Sequence, residues 1–343
     1  MCLIAMAWGV SAQYPLVIAS NRDEFYARPT APLAEWTTEE GHTIYSGRDL
    51  KDGGTWLGFA QNGRFAMLTN VRNPAAPMPF AARSRGALVM DWLTSSHDAA
   101  AWCHTLNLSA YAGFNILVGD WARQACHYVS NQHVARKSTD FKPNKLLAMR
   151  NITGAATDTV ASGVPIPIPC GQIVGLSNAA LNTPWPKTQH LVGALGDALG
   201  DALGDALGDA LGDALGDALG DVQGKGAGAA SDQAMRGKSS IQPATPSAMR
   251  PSLPDLQEAL QRALLDEQMA AADQLPHTGV AQEQELALSS VFVRYPPDQP
   301  SYGTRTSLVA VLSAQQRLHL LETTHPTAQQ RGGQVSHSLD WPL

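Results

Sequence analysis

Cysteine is the second residue of this chain, and at that place it could do chemistry closed to an internal cysteine. A small residue at position 2 predicts removal of Met1, which would leave a mature chain beginning with a thiol and a free α-amine on one residue. Reference pKa values are ~7.7 to 8.0 for an α-amine and ~8.5 for a thiol. At neutral pH, part of the amine is therefore free base beside a moderately acidic nucleophile, and one residue can serve as both nucleophile and base. The polar run Asn21-Arg22-Asp23-Glu24 supplies the neighbours such a site needs. A guanidinium beside the sulfur favours thiolate, and a carboxylate such as Asp23 can hold the amine while raising its pKa. Two plainer readings stand beside these. Cys2 can be the small apolar start of a buried strand, and the tetrapeptide a solvated turn.

These residues need a frame that brings them together. Apolar runs bounded by turn signals predict strands at 3–8, 16–20, 55–60, 65–70, 114–119, 125–130, 290–295, 306–312 and 318–323. Antiparallel pairing of the first two makes opposed residue numbers sum to about 24, which sets Cys2 against Arg22 or Asn21. Asn62-Gly63 marks a tight hairpin turn between two later strands. Helical spacing occurs at 86–94, 98–106, 188–195 and 256–265, where Leu256, Leu260 and Leu264 recur every fourth residue. Hairpins followed by paired helices predict an α+β fold with helices covering sheets.

Composition narrows the function classes. Of 343 residues, 44% are hydrophobic and 16% charged, and no apolar run approaches the ~20 residues of a membrane span. Net charge is -6, yet seven aspartates sit in one repeat, and the remainder of the chain carries +1. That balance offers no basic footprint for nucleic acid. Cys2, Cys103, Cys126 and Cys170 form no CxxC pair, and the ten histidines are not spaced for a metal, so no metal site is expected. Residues 3–10 are apolar and are followed by a small-residue site, but no Lys or Arg precedes Arg22. A secretory signal is therefore not expected, and a reducing, cytoplasmic setting is.

Seven copies of Ala-Leu-Gly-Asp fill residues 194–221, a four-residue period that drifts around a 3.6-residue helix. Each glycine also costs ~1 kcal/mol of helix propensity relative to alanine. Residues 193–251 are accordingly expected to be a low-complexity, disordered insertion in one domain formed by 1–192 and 252–343. Gly53-Gly54 is read as a turn entering a strand rather than a phosphate loop, since no helix start follows.

The chain resembles the NRDE family, also called the transport and Golgi organisation family. The resemblance rests on Met1-Cys2-Leu3-Ile4, Asn21-Arg22-Asp23-Glu24 with Arg28-Pro29, Gly47-Arg48-Asp49, and Gly53-Gly54-Thr55-Trp56-Leu57-Gly58. Further along it includes Gly63-Arg64-Phe65-Ala66, Leu68-Thr69-Asn70, Ser84-Arg85-Gly86, Gly113-Phe114-Asn115, Leu176-Ser177-Asn178, Pro184-Trp185-Pro186-Lys187 and Tyr302-Gly303-Thr304-Arg305. That family is similar in layout to cysteine-type N-terminal-nucleophile hydrolases. The likeness implies a four-layer αββα sandwich of antiparallel sheets. It also implies Cys2 as nucleophile and base, Arg22 and Asp23 around it, and Asn70, Asn178 and Arg305 as polar groups facing a substrate. Asn21, Trp56 and Asn115 are expected to bind that substrate. In those hydrolases the Arg and Asp are separated by two residues. Here they are adjacent, and so point to opposite faces of a strand unless the chain bends.

Taken residue by residue, Asn70 and Asn178 can equally be turn residues, and Arg305 can balance a buried carboxylate. Two functions follow. One is hydrolysis of a linear amide or acyl bond through Cys2, with no cofactor. The other, implied by animal relatives, is non-catalytic carriage of haem, acyl-CoA or lipid. The repeat could also serve as an arm for protein partners. The ligand expected in either main case is a small amide, acyl or haem-like molecule.

Overall fold

Both faces of the first strand are apolar and buried, so it must lie in a sheet covered on both sides. The computed structural model describes residues 2–74, 83–132, 134–135, 159–160, 162–200 and 251–342. The strands in chain order begin with β1 (Cys2–Trp8), β2 (Leu16–Phe25), β3 (Thr30–Thr37), β4 (Thr43–Asp49), β5 (Leu57–Ala60), β6 (Arg64–Asn70), β7 (Phe114–Asp120) and β8 (Ala125–Ser130). They continue with β9 (Val134–Ala135), β10 (Thr159–Val160), β11 (Ile166–Pro167), β12 (Gln172–Leu176), β13 (Arg294–Tyr295), β14 (Tyr302–Leu312), β15 (Arg317–Thr324) and β16 (Gly333–Asp340). The α-helices are α1 (Gly86–Thr94), α2 (Ala99–His104), α3 (Pro186–Ala198), α4 (Leu253–Leu264) and α5 (Gln282–Ala287).

The first sheet runs β12-β1-β2-β14-β15-β16, with β13 on β14, and the second runs β11-β8-β7-β6-β5-β4-β3. Every pairing in them is antiparallel. Side-chain alternation sorts three apolar layers. Ile4, Met6 and Trp8 face Phe59, Phe65 and Met67 of the second sheet in a shared inner core. Leu3, Ala5 and Ala7 look the other way, onto Leu191 and Leu195 of α3 and Leu256 and Leu260 of α4. The outer face of the second sheet buries Ala66, Ile116 and Val118 under Leu88 and Trp92 of α1 and Trp102 of α2. Helices, sheet, sheet and helices thus form the four-layer αββα sandwich, with each fully buried Leu or Phe contributing ~1.5–3 kcal/mol.

Three differences from the sequence expectation bear on the site. β2 runs to Phe25 and takes up the whole polar tetrapeptide, which is therefore strand and not a solvated turn. Of the strand expected at 290–295, only Arg294–Tyr295 forms, as β13. α3 carries through the first repeat copy to Ala198, with Leu195 and Leu199 buried in the outer core. Two leucines four apart still share a helix face, and the drift builds up only over more turns. The later copies lie outside the described residues. Gly200 and Pro251, on either side of residues 201–250, are neighbours: a Cβ placed on Gly200 would lie 4.0 Å from Pro251 Cδ.

Candidate active site

The first hairpin pairs with numbers summing to 24, which sets Cys2 directly opposite Arg22. Cys2 has the parity of Ile4, Met6 and Trp8, so its side chain enters the space between the sheets, at the end where the inner core gives way to a cleft of about 440 Å³. Cys2, Arg22, Asp23, Trp56 and Asn70 all line that cleft. Cys2 is 8% exposed and Arg22 4%. The Arg22 guanidinium lies 4.1 Å from the centre of the Trp56 ring, and its Nη1 donates to Thr30 Oγ1 at 3.2 Å. Stacking on an aromatic face holds the guanidinium, and among the described residues no carboxylate lies within ion-pair distance of it.

Strand alternation divides the tetrapeptide. The Nδ2 of Asn21 donates to Leu264 O at 2.8 Å and Val291 O at 3.0 Å, so it secures the end of α4 and does not line the cleft. Ser307 Oγ donates to Asn21 Oδ1 at 2.6 Å. Asp23 lines the cleft, but its Oδ1 accepts from Thr304 Oγ1 at 2.8 Å. Opposite this stretch β14 has a bulge, with Thr304 on Asp23, Thr306 on Arg22, and Arg305 between them without an opposed residue. Arg305 donates through Nη1 to Phe25 O at 3.1 Å and Arg28 O at 2.7 Å, and through Nη2 to Gln330. It ties down the chain leaving β2 and does not line the cleft.

The asparagines separate in the same way. Asn70 ends β6 on the cleft wall. Asn178 is buried behind it and donates through Nδ2 to Asn70 O at 2.9 Å, while its own carbonyl accepts from Arg72 N at 2.7 Å. Ser177 Oγ donates to the Cys2 carbonyl at 3.3 Å. Ser177 and Asn178 therefore fasten the end of β12 to β1 in its own sheet and to β6 in the other, beside the sulfur. Asn115 is fully buried. It donates to Thr69 Oγ1 and Ala179 O and accepts from Tyr128, and so holds the two sheets together away from the cleft.

Electrostatics set the resting state. Burial pushes the Cys2 thiol above its ordinary value; the amino terminus and, less strongly, Arg22 oppose the rise, and Asp23 adds to it. Arg22 acts on the sulfur in the expected direction, toward thiolate, while desolvation acts against it and the net shift is upward. Burial also raises the Asp23 carboxyl, against the pull of Lys187. The Lys187 amine is buried and brought down to about 8 by desolvation, with Asp23 opposing.

Sequence reasoning gave no role to several cleft residues. Arg28 pairs with Asp49 and Asp52 at 2.6 Å each, and Glu24, Arg83 and Arg85 complete much of the polar lining. Their signal was present in Arg28-Pro29 and Ser84-Arg85-Gly86, but only the fold shows that these stretches meet. Among the described residues no group of three or more His, Cys, Asp or Glu could hold a metal, and no helix is long and apolar enough to cross a membrane.

Comparison with known proteins adds the following. The family described as Transport and Golgi organisation 2 matches residues 1–326. A human protein, transport and Golgi organization protein 2 homolog, is 32% identical over 51% of this chain and 54% of its own length. A Drosophila melanogaster protein, transport and Golgi organization protein 2, is 35% identical over 29% of this chain and 36% of its own. The chain spans about half the length of the mammalian relatives it matches. Among solved structures, a mutant conjugated bile acid hydrolase from Clostridium perfringens aligns over 99% of this chain and 92% of that one, at 8% identity and a TM-score of 0.39. The layers described above therefore define the fold by themselves.

Proposed function

We propose that this chain, which belongs to the Transport and Golgi organisation 2 family, is an N-terminal-nucleophile hydrolase of a linear amide or related acyl bond, with Cys2 as nucleophile. The observation that carries the reading is the sulfur of Cys2 at the floor of a polar cleft, opposite Arg22, where an inner-core residue would otherwise sit. Removal of Met1 frees the α-amine, which takes the thiol proton as sulfur attacks the substrate carbonyl. The C–N bond breaks, the leaving amine carries the proton away, and a thioester remains. Water, deprotonated by the same amine, then splits the thioester into acid and free thiol. Asn70 is the asparagine on the cleft wall, with its backbone fixed by Asn178, and is the candidate amide donor to the oxyanion.

The test compares wild type with Cys2→Ala on a panel of linear amides, alongside intact mass and thermal melting. Expected are a wild-type mass lacking Met1, an acyl adduct on Cys2, and no turnover by a Cys2→Ala protein that melts near wild type. Turnover surviving in Cys2→Ala ends the proposal.

The raised thiol and the commitment of Asp23 Oδ1 to Thr304 favour a second reading, a carrier without turnover. Its cargo would be haem, acyl-CoA or lipid. Among the described lining residues only Cys2 offers a soft donor to haem iron and none offers an imidazole, so acyl cargo suits the cleft better. Saturable binding of long-chain acyl-CoA by wild type and Cys2→Ala alike, without product, favours this reading.

A further inference from the structure

Positive charge in the cleft is not spread evenly. Arg28 is matched by two carboxylates, Asp49 and Asp52, both within ion-pair distance. Arg22, Arg83 and Arg85 are not: among the described residues none of the three has a carboxylate within that distance. Arg22 is all but fully buried, against Trp56. Arg85 Nη1 donates to the backbone carbonyl of Gly113 at 3.1 Å, and the Arg83 guanidinium lies 5.5 Å from the centre of the Tyr111 ring. The remaining lining carboxylates are Asp23, whose Oδ1 accepts from Thr304 Oγ1 at 2.8 Å, and Glu24, whose Oε1 accepts from Phe25 N at 2.8 Å. Arg85 is followed by Gly86, the first residue of α1, so the positive end of that helix dipole lies on the same wall. Guanidiniums at a cleft wall, held by stacking and backbone contacts with no carboxylate at ion-pair distance and Glu24 acting on Arg85 only from farther off, keep their forked donors for a planar or tetrahedral oxyanion.

We infer that Arg83 and Arg85 form an anion subsite next to Cys2, and that the molecule bound there carries a carboxylate or a phosphate on the part remote from the bond that sulfur attacks. This rests on the hydrolase reading for its geometry, but binding alone can test it. Arg28 with Asp49 and Asp52, elsewhere on the lining, makes a locally acidic group that turns the same anion away. The anion is thereby oriented toward Arg83 and Arg85, which act as specificity residues and take no part in bond breaking.

The experiment is calorimetric titration of Cys2→Ala protein with N-hexanoylglycine, its methyl ester, N-hexanoylethanolamine and N-hexanoylethanolamine phosphate, at two salt concentrations. Expected is binding of at least one anionic member about tenfold or more tighter than its neutral partner, the size of a charge-assisted hydrogen bond or two. The preference should shrink at high salt and fall to within about twofold in Cys2→Ala carrying Arg83→Ala and Arg85→Ala. A gain for the glycine arm alone assigns a carboxylate, and a gain for the phosphate arm alone assigns a phosphate. Equal binding of charged and neutral members, no binding by any, or a preference that survives the double substitution overturns the inference. Thermal melting of the triple variant near that of Cys2→Ala shows that a lost preference is not lost folding. If the preference is found but wild type cleaves none of the four, the subsite stands and the hydrolase reading falls.

Discussion

Glu322 shows how far one buried carboxyl can tie the two sheets together. It lies on the inner face of β15, 1% exposed, and its Oε1 accepts from Leu33 N of β3 in the other sheet at 2.7 Å. Burial brings its pKa up to about 7, against the pull of that bond and of Arg22. The unfolded chain has a Glu pKa of ~4.3, so the folded state binds the proton more tightly. Stability from this group is complete below pH ~4.3, is lost as pH rises toward about 7, and the loss then levels off at the order of 3 kcal/mol. Glu322→Gln keeps an acceptor for Leu33 and cannot ionise. Its melting temperature should be close to wild type at pH 5 and several degrees above it at pH 8. An equal difference at both pH values would show that the carboxyl does not titrate in this range. Cys2 obeys the same physics, since burial opposes its charge; the sequence narrowed the sulfur's partner to Arg22 or Asn21 but did not show the desolvation, which depends on the layers packed around it.

At the scale of elements, a backbone contact sets one wall of the cleft. Gly53 takes a left-handed φ of +80°, and a Cβ on the following Gly54 would come within 2.5 Å of Gly86 C and 2.7 Å of Gly86 O. The turn before β5 and the start of α1 touch with no side chain between them, and that places Arg85 on the cleft. Gly54→Ala should therefore cost ~1–3 kcal/mol, because neither backbone can give way cheaply. Urea unfolding measures it, and a loss under about half a kcal/mol would mean the contact relaxes. The sequence made some elements plain and hid others. β1, β7 and α1 were readable because both faces, or one stripe, are apolar. β3, β4 and β16 were not: Thr30–Thr37, Thr43–Asp49 and Gly333–Asp340 lie at or next to sheet edges and carry charges and hydroxyls where a core strand has aliphatic groups. The polar end of β2 was hidden for the opposite reason, since it forms a cleft wall and its hydrogen-bonding side chains face other protein groups. Asn21, Asn115 and Arg305 carried the family pattern, yet they serve the frame; identity of type cannot tell a residue that holds the walls from one that meets a ligand.

For the whole molecule, the order of strands matters more than the order of the chain. β14, from beyond residue 251, lies between β2 and β15 and pairs with β2 from Tyr302 to Leu312. α4 from the later part packs with α3 from the earlier part over the same sheet face. The two parts of the sequence are therefore woven together, and neither can complete the first sheet alone. Gly200 and Pro251 stand side by side at the point where the described chain stops and resumes. The described chain thus leaves and re-enters the fold at a single doorway. The fifty intervening residues could be cut out and the gap bridged by a few glycines and serines, and the melting temperature should stay within a few degrees, because loop closure scales only with the logarithm of length. The same doorway suits a guest: a fluorescent protein or an affinity tag spliced there would ride outside the sandwich without prising its layers apart.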